Sequence, residues 1–303
     1  MVQEVLEFLR PRPGGIYLDG TVGTGGHAEA LLTHSSPAGT VIGIDTDAES
    51  LDVARDRLAP FGKRVLLLHG RYEDAPTLLR EHGISKVHGV VLDLGLSSYQ
   101  LEMPGRGFSF QKRDPLDMRM DRTQGYTALE FLKTVSAREL ASILREFGEE
   151  RRANQIARAI VRGISERTAA STQELAASVC STLPKGARRQ RIHPATRTFQ
   201  ALRIVINREL EALRGALDAL PSLIREGGRC CIISFHSLED RIVKQGFSAW
   251  EKGCTCAPDL PMCVCGKTPV GRLVRRKVIR PAQEEVLRNP RARSARMRVI
   301  EKV

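Results

Sequence analysis

Three aspartates, three glycines and one histidine are spaced so that they could do chemistry together: Asp19, Asp45, Asp93, Gly23, Gly25, Gly26 and His27. The apolar run Ile16–Leu18 leads into Asp19 and the turn Gly20-Thr-Val-Gly-Thr-Gly-Gly-His27, and a helical pattern with Ala28, Ala30, Leu31 and Leu32 leaves it. A strand, a glycine turn and a helix in that order offer bare backbone N–H groups to a nucleotide-like ligand. Gly23 to Ala28 also fits G-x-G-x-x-A, so the turn alone admits a nicotinamide or flavin dinucleotide. Asp45, at the end of the next apolar run, suits two ribose hydroxyls, which NAD and S-adenosylmethionine share. Asp19 favours the methyl donor, because a carboxylate repels a pyrophosphate and attracts a cationic amino-acid end. The third and fourth runs end in His69-Gly-Arg-Tyr72 and Leu92-Asp-Leu-Gly-Leu-Ser-Ser98. Each aspartate alone also reads as a cap or turn residue. Together with the glycine turn they predict a ligand lying across the carboxyl edge of a sheet.

The elements that must position these residues alternate over the first hundred positions. Strands are expected at Ile16–Leu18, Val41–Ile44, Val65–Leu68 and Val87–Leu94, with helices after the turn, over Ala48–Leu58 and over Pro76–Glu81. That rhythm predicts an α/β fold with a mostly parallel, doubly wound sheet. Pro104–Met120, rich in Gly, Pro, Arg and Asp, reads as a long functional loop. From Thr127 to about Leu183 the pattern is wholly helical, and Ser171-Thr-Gln-Glu174 is a capping-box signature. A long helix is expected from about Thr196 to Leu217, then a strand over Gly228–Phe235, a helix over Leu238–Phe247 and an edge strand over Arg296–Glu301. The expected division is a donor-binding domain of residues 1–103 and 196–303, with an inserted helical domain at 104–195.

The 303 residues carry a net charge of +12, which points to a polyanionic partner, and the run Lys185-Gly-Ala-Arg-Arg-Gln-Arg191 strengthens a nucleic-acid reading. No apolar run is long enough to span a bilayer and no signal-peptide pattern is present, so the expectation is a cytoplasmic protein with no membrane partner. The seven cysteines are then expected as thiols or ligands and not as a disulfide framework.

The chain resembles the bacterial small-subunit ribosomal RNA cytosine-N4 methyltransferases, the RsmH or MraW family. The resemblance is carried by Asp19–His27, Leu92–Ser98, Arg106-Gly-Phe-Ser-Phe110, Pro115–Met120, His193–Arg203, Ser234–Arg241 and Asn289–Ser294, blocks that span nearly the whole chain. It implies a Rossmann-like methyltransferase with a helical substrate domain inserted after the fourth strand, and S-adenosylmethionine as donor. It implies a donor site of Gly25, Gly26 and His27 at the turn, Asp45 on the ribose, Tyr72 near the adenine, and Asp93 and Gln100 near the methionine end. The implied acceptor is a cytidine in the decoding region of small-subunit rRNA, either as RNA or in the assembled subunit. Two departures stand out. An extended His-x-Pro-Val segment usual before the first helix is missing ahead of Val2–Leu9, so the start is expected to be shortened, in the protein or in its gene model. Thr21 stands where methyltransferase turns usually carry glycine; it is expected to stiffen the turn without loss of binding. The rivals are an RNA-binding assembly factor with a vestigial pocket and an NAD-linked oxidoreductase.

Cytosine N4 is a poor nucleophile, because its lone pair is delocalised into the ring. The site must align N4 with the methyl group and offer acceptors to its hydrogens. Asp93, Ser97, Ser98 and Tyr99 are the candidate catalytic turn, with Asp93 tied to the donor and no general base assigned. Tyr99, Phe108 and Phe110 are candidates for a flat wall against an extruded base, with core packing the alternative for both phenylalanines. Arg106, Lys112, Arg113, Arg119 and Arg122 suit RNA, or pair with Asp114, Asp117 and Asp121 to brace the loop. His193 and His236 each fit a site or a structural role, and neither is named catalytic. Cys254, Cys256, Cys263 and Cys265 could hold zinc, although C-x-C is tighter than the usual spacing, and no metal is assigned. Cys180, Cys230 and Cys231 read as small core residues.

Overall fold

A computed structural model describes residues 1–183, 193–252, 256, 262 and 265–303. Helix α1 (Val2–Leu9) opens the chain and buries Val5, Leu6 and Leu9. Strands and helices then alternate through β1 (Ile16–Asp19), α2 (Gly26–His34), β2 (Thr40–Asp45), α3 (Ala48–Leu58), β3 (Val65–His69), α4 (Ala75–Glu81) and β4 (Val87–Asp93). Six helices follow: α5 (Ser98–Glu102), α6 (Ala128–Thr134), α7 (Ala137–Gly148), α8 (Ala153–Ser165), α9 (Thr172–Ser181) and α10 (Ala195–Asn207). The chain continues through α11 (Glu209–Leu223), β5 (Ile224–Ser234), α12 (Ser237–Lys252), β6 (Gly271–Leu273), α13 (Gln283–Arg288) and β7 (Arg296–Lys302). No helix among the described residues is long and apolar enough to cross a membrane.

The sheet order is β3-β2-β1-β4-β5-β7-β6. The first five strands pair in parallel, while β7 runs antiparallel to both β5 and β6. This is the expected doubly wound, Rossmann-like α/β sheet. Tyr17 and Leu18 on β1, and Val90, Val91 and Leu92 on β4, are all buried, as central parallel strands covered on both faces require. Strand order reverses between β1 and β4, and in such sheets the crevice beyond the carboxyl ends at that point receives the ligand. The ends there are Asp19 and Asp93.

The chain forms two compact units, Met1–Gly95 with Leu210–Val303, and Leu96–Glu209. These limits differ from the expected 103/104 and 195/196. The reason is packing: Phe199, Ala201 and Leu202 of α10 share one apolar cluster with Leu140 and Leu144 of α7, Ile156 and Ile160 of α8 and Leu175 of α9. Leu116 and Met118 of the long loop enter the same cluster. The long helix expected to Leu217 is two helices, because Arg208 takes a left-handed conformation (φ 53°) between α10 and α11. The last strand is not an edge strand, since β6 pairs along its outer side.

Candidate functional site

The first unit gathers its chemistry at the end of β1. Asp19 is fully buried, and its Oδ1 accepts the Thr21 N–H at 3.3 Å. Thr21 Oγ1 in turn accepts the Asp93 N–H at 2.6 Å, so a single hydroxyl joins the ends of β1 and β4. His27 Nε2 stands 3.2 Å from Asp93 Oδ2. Asp19 Oδ2, Asp93 Oδ1 and His27 Nδ1 are buried and, among the described residues, have no hydrogen-bond partner. Polar atoms in that condition are costly, and a ligand that meets them recovers the cost.

The turn itself leaves room for such a ligand. Gly25 (φ 87°) precedes α2 in a left-handed conformation, and no side chain caps this helix. Gly20 admits no side chain: a Cβ there would lie 2.4 Å from Leu92 Cδ2 and 3.0 Å from Tyr72 Cβ. That contact puts Tyr72 beside the turn. Asp45 holds the turn from β2. Its Oδ2 accepts the Gly23 N–H at 2.7 Å and its Oδ1 the Asp47 N–H at 2.9 Å. An ionised carboxylate has about four acceptor positions, so Asp45 keeps capacity for hydroxyls.

Burial dominates the electrostatics. Loss of solvent pushes Asp19 up to about 6; the charges of Asp93 and Asp45 add to this, against His27 and the Thr21 N–H. Asp45 is also pushed up to about 6 by burial, against the N–H groups of Asp47 and Gly23. Burial lowers the pKa of His27, but the hydrogen bond and charge of Asp93, with the charge of Asp19, outweigh it and hold the imidazole above its ordinary value.

Gly25, Gly26, His27, Asp45, Tyr72 and Asp93 thus all fall in the first unit around one turn. Ser97, Ser98, Tyr99 and Gln100 belong to the second unit. There Ser97 and Gln100 form a capping box on α5: Ser97 Oγ accepts the Gln100 N–H, and Gln100 Oε1 the Ser97 N–H, each at 3.1 Å. Ser98 is exposed and Tyr99 half-buried.

The loop cations of the second unit are mostly committed inside it. Arg106 is 1% exposed and donates to the carbonyls of Arg119 and Met120. Arg119 forks onto Asp117 at 2.8 and 3.0 Å, Arg122 stands 3.7 Å from Asp117, Arg113 meets Glu174 at 2.7 Å, and Lys112 donates to the Glu102 carbonyl. The bracing alternative describes this loop. Phe108 lies in the unit's core, with the Arg106 guanidinium 5.8 Å from its ring centroid. Phe110 stacks on the exposed His193 at 4.5 Å and meets Phe199 edge-on. His193 Nε2 also approaches Cys180 at 3.9 Å, so Cys180 is a half-buried neighbour of His193 and not a plain core residue. In the first unit, His236 Nε2 lies 3.1 Å from the buried Glu239, which accepts the N–H groups of Phe235 and His236. That is a helix-start brace. Cys230 and Cys231 are fully buried, and burial pushes the Cys231 thiol up to about 12, which makes both inert. Cys254, Cys263 and the run Lys185–Arg191 lie outside the described residues.

The tie through Thr21 is the main feature that sequence reasoning missed. The signal was there, because a hydroxyl residue stood where a glycine is usual.

The profile of the MraW methylase family matches residues 1–303. A protein named ribosomal RNA small subunit methyltransferase H from Geobacter sp. (strain M21) is 50% identical over 300 residues, covering 99% of this chain and 96% of the relative. The protein of the same name from Symbiobacterium thermophilum is 48% identical over 303 residues, covering 100% and 95%. Among solved structures, an rRNA methylase from Streptococcus thermophilus aligns with a TM-score of 0.43 at 11% identity, covering 100% of this chain and 93% of the other.

Proposed function

The chain belongs to the MraW methylase family, and from that premise we propose that it transfers a methyl group from S-adenosylmethionine to small-subunit ribosomal RNA, at the N4 amino group of a cytidine in the decoding region. The observation that carries the donor side is the set of buried, unpartnered atoms at the turn: Asp19 Oδ2, Asp93 Oδ1 and His27 Nδ1. Two carboxylate oxygens at an uncapped helix start fit an amino acid that presents both an ammonium and a carboxylate. They fit a pyrophosphate poorly, and this disfavours the dinucleotide.

In this reading Asp93 and Asp19 receive the ammonium, and the N–H groups of Gly26 and His27 face the carboxylate, the Gly25 N–H being held by the Val22 carbonyl at 2.8 Å. Asp45 takes the ribose hydroxyls and Tyr72 flanks the adenine. When bound, S-adenosylmethionine supplies a methyl group already activated on a sulfonium. The remaining work falls to the chain: acceptors in the segment Asp93–Tyr99, with Ser98 and the backbone carbonyls foremost, hold the N4 hydrogens while the departing proton passes to solvent. The helical unit positions the RNA, and the same reading places the protein in the cytoplasm, where its substrate is made.

The test is transfer of labelled methyl to small-subunit rRNA and to assembled small subunits lacking the modification, with nucleoside mass spectrometry of the product. Label in N4-methylated cytidine is expected. Label in another nucleoside would replace the acceptor assignment, and no transfer together with stabilisation by NAD would replace the donor.

A further inference from the structure

We propose that the exposed face of α8, carrying Arg158 and Arg162 with Arg151 just ahead of it, is a contact surface for the sugar-phosphate backbone of the RNA. The inference rests on the RNA-methyltransferase reading and adds to it the residues that grip the polyanion. Within the helical unit, basic residues fall into two groups. Arg106, Arg113, Arg119, Arg152 and Arg203 are committed to carbonyls or carboxylates of their own unit. Arg151, Arg158 and Arg162 are exposed and, among the described residues, have no hydrogen-bond or ion-pair partner.

Their placement is fixed by the other side of the helix. Ala153, Ile156, Ala157, Ile160 and Gly163 are buried, so rotation of α8 would expose its apolar stripe. Arg158 and Arg162 stand one turn apart on the outer side, roughly 6 Å along the axis. Like charges at that spacing destabilise a helix. Within α8, ANQIARAIVRGIS, there is no acid, and the one that follows, the C-cap Glu166 one turn beyond Arg162, makes no ion pair with it among the described residues. Its neighbours do the opposite: α6, α7 and α9 each open with a capping box closed by a glutamate. A helix that concentrates unneutralised arginines outward gains from a polyanion, and nucleic acid is the polyanion this reading supplies.

The experiment compares the unaltered chain with Arg158→Ala/Arg162→Ala. Binding of a small-subunit rRNA fragment is measured across a salt series, and binding of S-adenosylhomocysteine at one salt concentration. We expect RNA affinity to fall roughly 5- to 30-fold, since two exposed contacts are each worth about 1 kcal/mol. The slope of log affinity against log salt is expected to shrink by about 1.4. S-adenosylhomocysteine binding should not move and the thermal midpoint should not fall, and Arg158→Lys/Arg162→Lys should keep most of the RNA affinity. Unchanged RNA affinity and slope in the alanine variant would overturn the assignment while leaving the donor reading intact. An unaltered chain that binds the donor analogue but no rRNA would overturn both this assignment and the RNA-acceptor reading it rests on.

Discussion

The turn after β1 and the loop from Gly105 to Gly125 are both dense in charge, but they use it in opposite ways. In the loop most of the charges meet partners: Asp117 is gripped by Arg119, Arg106 gives Nη2 to two carbonyls although its buried Nε makes no hydrogen bond among the described residues, and Asp114 Oδ1 accepts the Gly105 N–H. At the turn the charges are gathered, buried and left short of partners. A satisfied cluster holds a chain in shape, whereas an unsatisfied one holds a place for something else. Charge in the sequence marked both regions. Only the partners separate a brace from a site.

The comparison can be broken most forcefully at Arg106. Arg106→Ala strips a buried guanidinium from its carbonyls and should lower the stability of the helical unit by roughly 3 kcal/mol, read by urea unfolding. Full stability with lost RNA binding would make the loop a site after all. Asp93→Ala should weaken S-adenosylhomocysteine roughly 10- to 100-fold in calorimetry, because it removes a charge-assisted acceptor. The ligand-free fold should hold, and normal binding would remove Asp93 from the donor site.

Asp19 gives a pH signature. Its folded pKa of about 6 lies above the ordinary 3.8, so the folded state binds the proton more tightly than the unfolded state. The stability it contributes is complete below about pH 4 and disappears as pH rises through 6. Asp19→Asn should therefore flatten the ligand-free stability profile between pH 4 and 6 and weaken the donor analogue. A profile parallel to that of the unaltered chain would show that Asp19 is not held in this way. The smallest effect is expected at Thr21. Thr21→Val removes the acceptor of the Asp93 N–H and should cost about 1 kcal/mol of donor affinity, whereas Thr21→Ser should retain it. Equal affinity in the valine variant would make the tie incidental.

Much of this could be read in the sequence where local chemistry decides the outcome. The apolar runs ending in Asp19, Asp45 and Asp93 gave strands ending there, and α3 runs from Ala48 to Leu58 as its spacing implies. The capping box at Ser171 is present. What was not legible depends on partners far away in the chain. Arg106 looks like a surface cation until Arg119 and Met120 offer it their carbonyls. Arg208 carries no mark of a left-handed break, and Asn207, which accepts the Met120 N–H and donates to Met118 O, shows no sign of that role in its type. Nothing in the alternation of Arg296–Glu301 says that a three-residue strand will cover its outer side.

That covered strand also sets an order of assembly during synthesis. The helical unit is one uninterrupted stretch, complete once residue 209 has emerged. The sheet cannot be completed then: among the described residues β5 keeps an open flank until residues 296–302 arrive, and β6, made earlier, pairs with β7 alone. A chain that stops before residue 296 therefore exposes Cys231, Ile232 and Ile233 along an unpaired strand, the kind of edge that recruits other chains. The last seven residues of the sheet act as its closure, and nascent chains halted before them are expected to aggregate while their helical unit is already folded.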